Sequence, residues 1–173
     1  MKTFQDYCLE CSRTKAPCED IEKDLLILAA GLCGESIEIL DSIEESTEKT
    51  KKELGDTFWY LASMSSFLKL ENIFWNGIEL KKIPATWTSP ATPIDLIKHT
   101  GTILERIKKY AAQGHDLNLI AMELDLMTCL NDLNCISKVL NSDLQEIAEI
   151  NIAKLKARYP DKFSSGKSIK RED

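Results

Sequence analysis

Four carboxylates in the N-terminal half have the type and spacing to do chemistry together. Glu35 and Glu38 are three residues apart, and so are Glu53 and Asp56. On a helix that spacing places each pair on one face. If the two helices pack antiparallel through residues 41–52, the pairs face each other. Four converging negative charges repel unless a cation sits among them. An all-oxygen set suits Mg²⁺, which keeps part of its water and shares its shell with substrate phosphates. Gly34 and Gly55 adjoin these acids and are small enough to admit a backbone or a ligand. By spacing alone ExxE and ExxD are weak signals, because solvated acidic faces produce them constantly. Context strengthens both. The first pair is embedded in the apolar stretch 25–43, outside the charge run 44–52. The second leads into Phe58-Trp59-Tyr60-Leu61, where the helix enters a core.

The elements that must hold these groups read as helices throughout. The 173 residues are room for one domain or two small, tightly packed ones, and 43% hydrophobic with 29% charged content suits a buried core. Only 7 glycines and 5 prolines interrupt the chain. Apolar residues recur at helical spacing over 21–43 and 50–70, with a shorter helix expected at 73–83. After a proline-rich segment at 84–93 the pattern returns over 94–112, 117–140 and 142–159. No stretch alternates with period two for long enough to demand a strand. The expected organisation is a unit at 1–83, a linker at 84–93, a second unit at 94–163 and a polar tail at 164–173.

Charge and composition exclude several classes. The net charge is −6, a poor prior for binding nucleic acid. Residues 1–83 hold 10 basic against 16 acidic residues, whereas 84–173 hold 12 of each, with a basic cluster at 154–171. The longest apolar run, 25–33, is too short to span a bilayer, and the N-terminus lacks the apolar core of a signal peptide. The expectation is a cytoplasmic protein, without a membrane or nucleic-acid partner, whose six cysteines are mostly reduced. Cys8 and Cys11, with Cys18 nearby, fall short of the four ligands usual in a structural zinc site. His99 and His115 stand alone. Neither has a glutamate three residues before it, which argues against a di-iron carboxylate bundle. Trp59 and Tyr60 read either as core or as a platform for a base, and Trp75 and Trp87 flank the linker.

The two halves share a faint repeat. Gly34-Glu35-Ser-Ile-Glu38 aligns with Gly101-Thr102-Ile-Leu-Glu105, and Glu53-Leu54 aligns with Glu123-Leu124. Any two amphipathic helix pairs share some such likeness, so both readings stay open. The order Gly31-Leu-Cys-Gly-Glu35-Ser-Ile-Glu38, then Glu53-Leu-Gly-Asp56-Thr-Phe-Trp-Tyr-Leu-Ala62, resembles the MazG-like all-α nucleoside triphosphate pyrophosphohydrolases. The stretch Asn151-Ile-Ala-Lys154-Leu-Lys-Ala-Arg158-Tyr-Pro-Asp-Lys-Phe163 is similar to the family's last helix, and Ile107–His115 to an inter-helix loop.

That resemblance implies an all-α, MazG-like helical bundle, assembled as a dimer or a dimer of dimers. It implies Mg²⁺-dependent hydrolysis of an NTP or dNTP to the monophosphate and pyrophosphate, with Mn²⁺ able to substitute. It assigns Glu35, Glu38, Glu53 and Asp56 as metal ligands and Lys154 and Arg158 as phosphate-binding residues, assisted by Asn151. Glu38 is the candidate to orient or deprotonate the attacking water. A dUTP- or dCTP-preferring all-α relative and an inactive nucleotide-binding module are the alternatives.

The chain departs from the short single-unit pattern. In the second half Thr102 and Leu126 stand where two ligands are required, leaving Glu105 and Glu123 as relics. The first half in turn lacks the basic block. One half carries the acids and the other the bases, which suggests one composite site per chain in a fused-dimer arrangement. The bases reach the acids either within one chain or across an oligomer interface.

Overall fold

The computed structural model describes residues 2–17, 20–70, 77–83, 91–161, 163–164 and 166. Six α-helices run in the order α1 (Phe4–Ser12), α2 (Ile21–Ser42), α3 (Thr47–Phe67), α4 (Pro93–Gln113), α5 (Leu119–Val139) and α6 (Leu144–Arg158). One 3-10 turn, Leu80–Lys82, lies between α3 and α4, and the described residues include no β-strand. The chain is all-α.

Each boundary has a local cause. Ser46 Oγ accepts from the Lys49 amide and starts α3 at Thr47, ahead of the position near Thr50 where apolar periodicity alone places it. Thr92 and Asp95 form a capping box for α4, with Pro93 at the first helical position. Gly114 ends α4 with φ 71°, a left-handed conformation that glycine adopts without a Cβ clash. Asp143 caps α6, which stops before Pro160.

Helices α2 and α3 form one antiparallel hairpin and α4 and α5 another. Helix α2 packs on α4 and α3 packs on α5, closing a four-helix bundle. Helices α1 and α6 lie against α3, which therefore touches α1, α2, α5 and α6. The core is continuous across both halves: Phe4, Leu25, Phe58, Leu96, Ile103, Leu133 and Ile147 belong to one buried cluster. Burying a side chain of this size contributes about 1.5–3 kcal/mol. Side-chain bonds add register. Ser36 Oγ and Thr100 Oγ1 lie 2.9 Å apart between α2 and α4, and His99 Nδ1 lies 2.6 Å from Asp132 Oδ2 between α4 and α5.

Two features differ from the sequence expectations. Helix α1 is additional. Thr3 and Asp6 form its capping box, and Leu80 N donates to Lys2 O at 2.8 Å, docking the segment before it against the turn at 80–82. The helix expected at 73–83 is only that 3-10 turn among the described residues. Residues 73–76, most of the proposed linker (84–90), Cys18, Trp75, Trp87 and most of the tail lie outside the described residues. None of the six helices is long and apolar enough to cross a membrane.

Candidate metal centre

The α2–α3 hairpin brings the carboxylates together. One oxygen from each of Glu35, Glu38 and Glu53 lies within 4.8 Å of the others. Glu38 is exposed at the mouth, while Glu35 and Glu53 are half-buried behind it. Burial pushes the Glu35 carboxyl up from 4.5 to about 7, with the Asp56, Glu38 and Glu53 charges adding to the rise. Glu53 is raised by the same kinds of cause, burial first, and Lys154 opposes the shift at both residues. The cluster thus disfavours its own ionisation, and a divalent cation is the kind of ligand that would relieve it.

Asp56 lies one turn beyond Glu53 but is held from the other side. Its Oδ1 accepts from Asn151 Nδ2 at 2.8 Å, and its Oδ2 is paired with the Lys154 ammonium. Both partners come from α6, so the basic block of the C-terminal half meets the acids of the N-terminal half within one chain. Arg158 follows Lys154 by one turn and is half-buried at the end of α6. Lys51 pairs with Glu146 at 2.8 Å and ties α3 to the first turn of the same helix.

Gly55 explains how α6 comes so near. A Cβ there would stand 2.9 Å from the Asn151 Cβ, so only a bare Cα fits the approach. Gly34 has a different environment: a Cβ there would meet nothing within 4 Å, so Gly34 does not serve helix packing. The glycine that does is Gly31, one turn before Glu35. The Tyr60 ring occupies the space of its missing Cβ. Trp59 meets Tyr60 edge-on at 4.9 Å and donates from Nε1 to Thr14 Oγ1 at 3.0 Å. Tyr60 therefore packs on α2 one turn before Glu35, and Trp59 ties α3 to the segment after α1.

Tyr7, on the additional helix α1, also reaches the site. It is fully buried, and its hydroxyl donates to Asn151 Oδ1 at 2.9 Å, with Gly55 O at 3.3 Å. The signals available in the sequence are the Thr3-x-x-Asp6 capping box and the helical spacing of Phe4, Tyr7, Cys8 and Cys11.

The second half contains no matching cluster among the described residues. Leu126 is in the core, and Thr102 is exposed, bonding to Lys98 O. Glu105 pairs with Lys108 and Lys109. Glu123 is covered, its Oε1 has no hydrogen-bond partner, and desolvation raises its carboxyl. His115 is exposed in the turn after α4. The Cys8 thiol donates to Ala62 O at 3.6 Å, and burial pushes the Cys11 thiol well up.

No family model, curated protein or solved structure gives a match to this chain.

Proposed function

We propose that the chain is a Mg²⁺-dependent nucleoside triphosphate pyrophosphohydrolase of the MazG-like kind, converting an NTP or dNTP to the monophosphate and pyrophosphate. The observation that carries this reading is the meeting of a three-carboxylate cluster with a lysine from α6 in one half-buried site. The donor chemistry fits a hard divalent ion: the oxygens are close, acceptor-only when ionised, and two of the three carboxyls are driven toward the neutral form by burial and by one another.

In this reading Glu35, Glu38 and Glu53 hold the metal, joined by Asp56 from the next turn of α3. When bound, Mg²⁺ supplies charge neutralisation on phosphate oxygens and acidifies water. The protein's own groups supply the rest. Glu38, exposed at the mouth, accepts the proton of the attacking water or orients it. Lys154 neutralises charge developing on the pyrophosphate leaving group, and Arg158, four residues on, extends the same basic face. Asn151 holds Asp56 in place. In this reading Tyr60, which packs on Gly31 one turn before Glu35, is the candidate to stack on the base, with Trp59 edge-on behind it. Exposed Ile37 and Leu40 on α2, with Ile120 and Leu124 on α5, offer apolar surface suited to the proposed homo-oligomer.

The test is a panel of NTPs and dNTPs assayed for pyrophosphate release. Hydrolysis is expected with Mg²⁺ or Mn²⁺ and not with a chelator. Full activity in EDTA, or no turnover of any nucleotide, overturns the proposal. Glu38→Gln and Asp56→Asn should each cost at least ~10²-fold in kcat, the usual loss for a general base or a charge-stabilising group, with helical circular dichroism unchanged. Nucleotide binding without turnover would instead mark an inactive binding module. A strong preference for dUTP or dCTP would mark the pyrimidine-specific alternative.

A further inference from the structure

We propose that Tyr7 is a positioning residue for the acidic site, acting through the side-chain amide of Asn151. This rests on the reading of Asp56 as part of that site. Three elements meet at one buried point: Tyr7 from α1, Gly55 from α3 and Asn151 from α6. Tyr7 and Asn151 are both fully buried. The Tyr7 hydroxyl has one proton to give, and the nearer acceptor is Asn151 Oδ1 at 2.9 Å, against 3.3 Å for Gly55 O. With Oδ1 engaged, the amide of Asn151 turns Nδ2 toward Asp56 Oδ1 at 2.8 Å.

Both ends of the amide are thereby matched. A carboxylate can only accept, so it requires the NH₂ end. A hydroxyl donor on the opposite side secures the carbonyl end. Reversing the amide would set its oxygen against the Asp56 carboxylate. Without the hydroxyl, the buried Oδ1 is left without its donor, and only the bond to Asp56 still fixes the orientation of the amide. The Tyr7 ring does not depend on the hydroxyl for its place, because it packs on Phe58 with centroids 4.3 Å apart. Loss of the hydroxyl therefore acts on the amide more than on the core. The N-terminal helix in this view does more than cover α3: it orients the group by which α6 grips Asp56.

Tyr7→Phe, Asn151→Ala and the double variant form the test, read in two ways. In the protein without nucleotide, exchange of the Asn151 side-chain NH₂ protons is followed by NMR. Tyr7→Phe should speed it about tenfold, the scale of one lost buried hydrogen bond, while backbone amides in the centre of α3 keep their protection. In the hydrolysis assay, Tyr7→Phe should lower kcat about 10–100-fold with little change in KM. The same change made in Asn151→Ala should alter kcat less than about twofold, because the path through the amide is already gone. Equal losses in both backgrounds, or unchanged Asn151 exchange, overturn the proposal. If Tyr7→Phe fails to fold, the unsubstituted protein still decides: a slowly exchanging Tyr7 hydroxyl proton with a cross-peak to Asn151 supports the proposal, and a rapidly exchanging one overturns it. A parent that hydrolyses no nucleotide overturns the enzymatic reading alone, since the NMR experiment needs no substrate.

Discussion

The Lys154 ammonium on α6 is paired with the Asp56 carboxylate on α3, although 98 residues separate them. The pair sits at the edge of the acidic cluster, partly shielded on both sides. It supplies a positive charge that opposes the rise of the Glu35 and Glu53 carboxyls. In the proposed reaction the same ammonium lies beside the phosphates that carry the most charge.

Lys154→Ala is expected to separate these roles. A triphosphate should lose about 1.5–3 kcal/mol of binding, roughly 10–150-fold, the scale of a bond to a charged group. A monophosphate should lose less, because the leaving phosphates carry the extra charge. Mn²⁺ alone should bind no more weakly than to the parent, since the acids have lost a competing cation. Titration calorimetry with the three ligands checks this. Equal losses for all of them would mean that Lys154 only supports the fold.

Glu35 sets a pH dependence. Its carboxyl lies at about 7 in the folded protein against an ordinary 4.5. A raised carboxyl contributes stability that is fully present below 4.5 and is lost as pH climbs through 7. Metal-free protein should therefore melt lower at pH 8 than at pH 5 by this contribution, and Glu35→Gln should shrink the difference. Metal binding runs the opposite way. Below about 7 a proton must leave Glu35, so affinity should fall about tenfold per pH unit there and flatten above. Mn²⁺ affinity independent of pH from 5 to 8 would remove Glu35 from the ligand set.

Gly55→Ala pits two effects against each other. Alanine in a helix interior gains roughly 1 kcal/mol over glycine. Its Cβ would stand 2.9 Å from the Asn151 Cβ, an atom at the root of the side chain that rotation cannot move away. Overpacking of this kind costs about 1–3 kcal/mol, so the substitution should lower the Tm. It should also weaken the Asn151 and Lys154 contacts with Asp56, because α6 must shift. Gly31→Ala should also lower the Tm, because its Cβ would overlap the Tyr60 ring that Trp59 packs against. A higher Tm for Gly55→Ala would refute the close approach of α3 and α6.

These relationships differ in how far the sequence reveals them. Helices α2 to α6 follow from apolar periodicity and from caps such as Thr92 and Asp143, which are local signals. The acidic pairs are legible for the same reason, because i, i+3 spacing fixes a shared face. Helix α1 escapes notice because it is short: Phe4, Tyr7, Cys8 and Cys11 repeat at helical spacing over only two turns, too few to stand out beside its capping box. Tyr7 therefore could not be placed beside Asn151. The pairing of Gly55 with Asn151, and of Gly31 with Tyr60, depends on interhelical distance. A glycine at close quarters and one facing open space, such as Gly34, look identical in a sequence.

The second half yields the last prediction, one metal–nucleotide site per chain. Under the proposed repeat four residues would align with the acidic set, and none is available for a metal in the same way. Leu126 is a core side chain and Thr102 is occupied with Lys98 O. Glu105 already has Lys108 and Lys109 as counter-ions, which hold its carboxyl below the usual range. Glu123 is covered and its carboxyl is raised. A cation there would have to compete with two lysines and uncover a side chain, with only two carboxylates in return. Glu105→Gln and Glu123→Gln should therefore leave hydrolysis within about twofold of the parent, as expected for changes remote from the reacting groups. Calorimetry with Mg²⁺ and a non-hydrolysable triphosphate should give one nucleotide per chain. A crystal of that complex should place it beside Glu35, Glu38, Glu53 and Asp56. A second nucleotide between Glu105 and Glu123 would overturn the one-site arrangement while leaving the proposed chemistry intact.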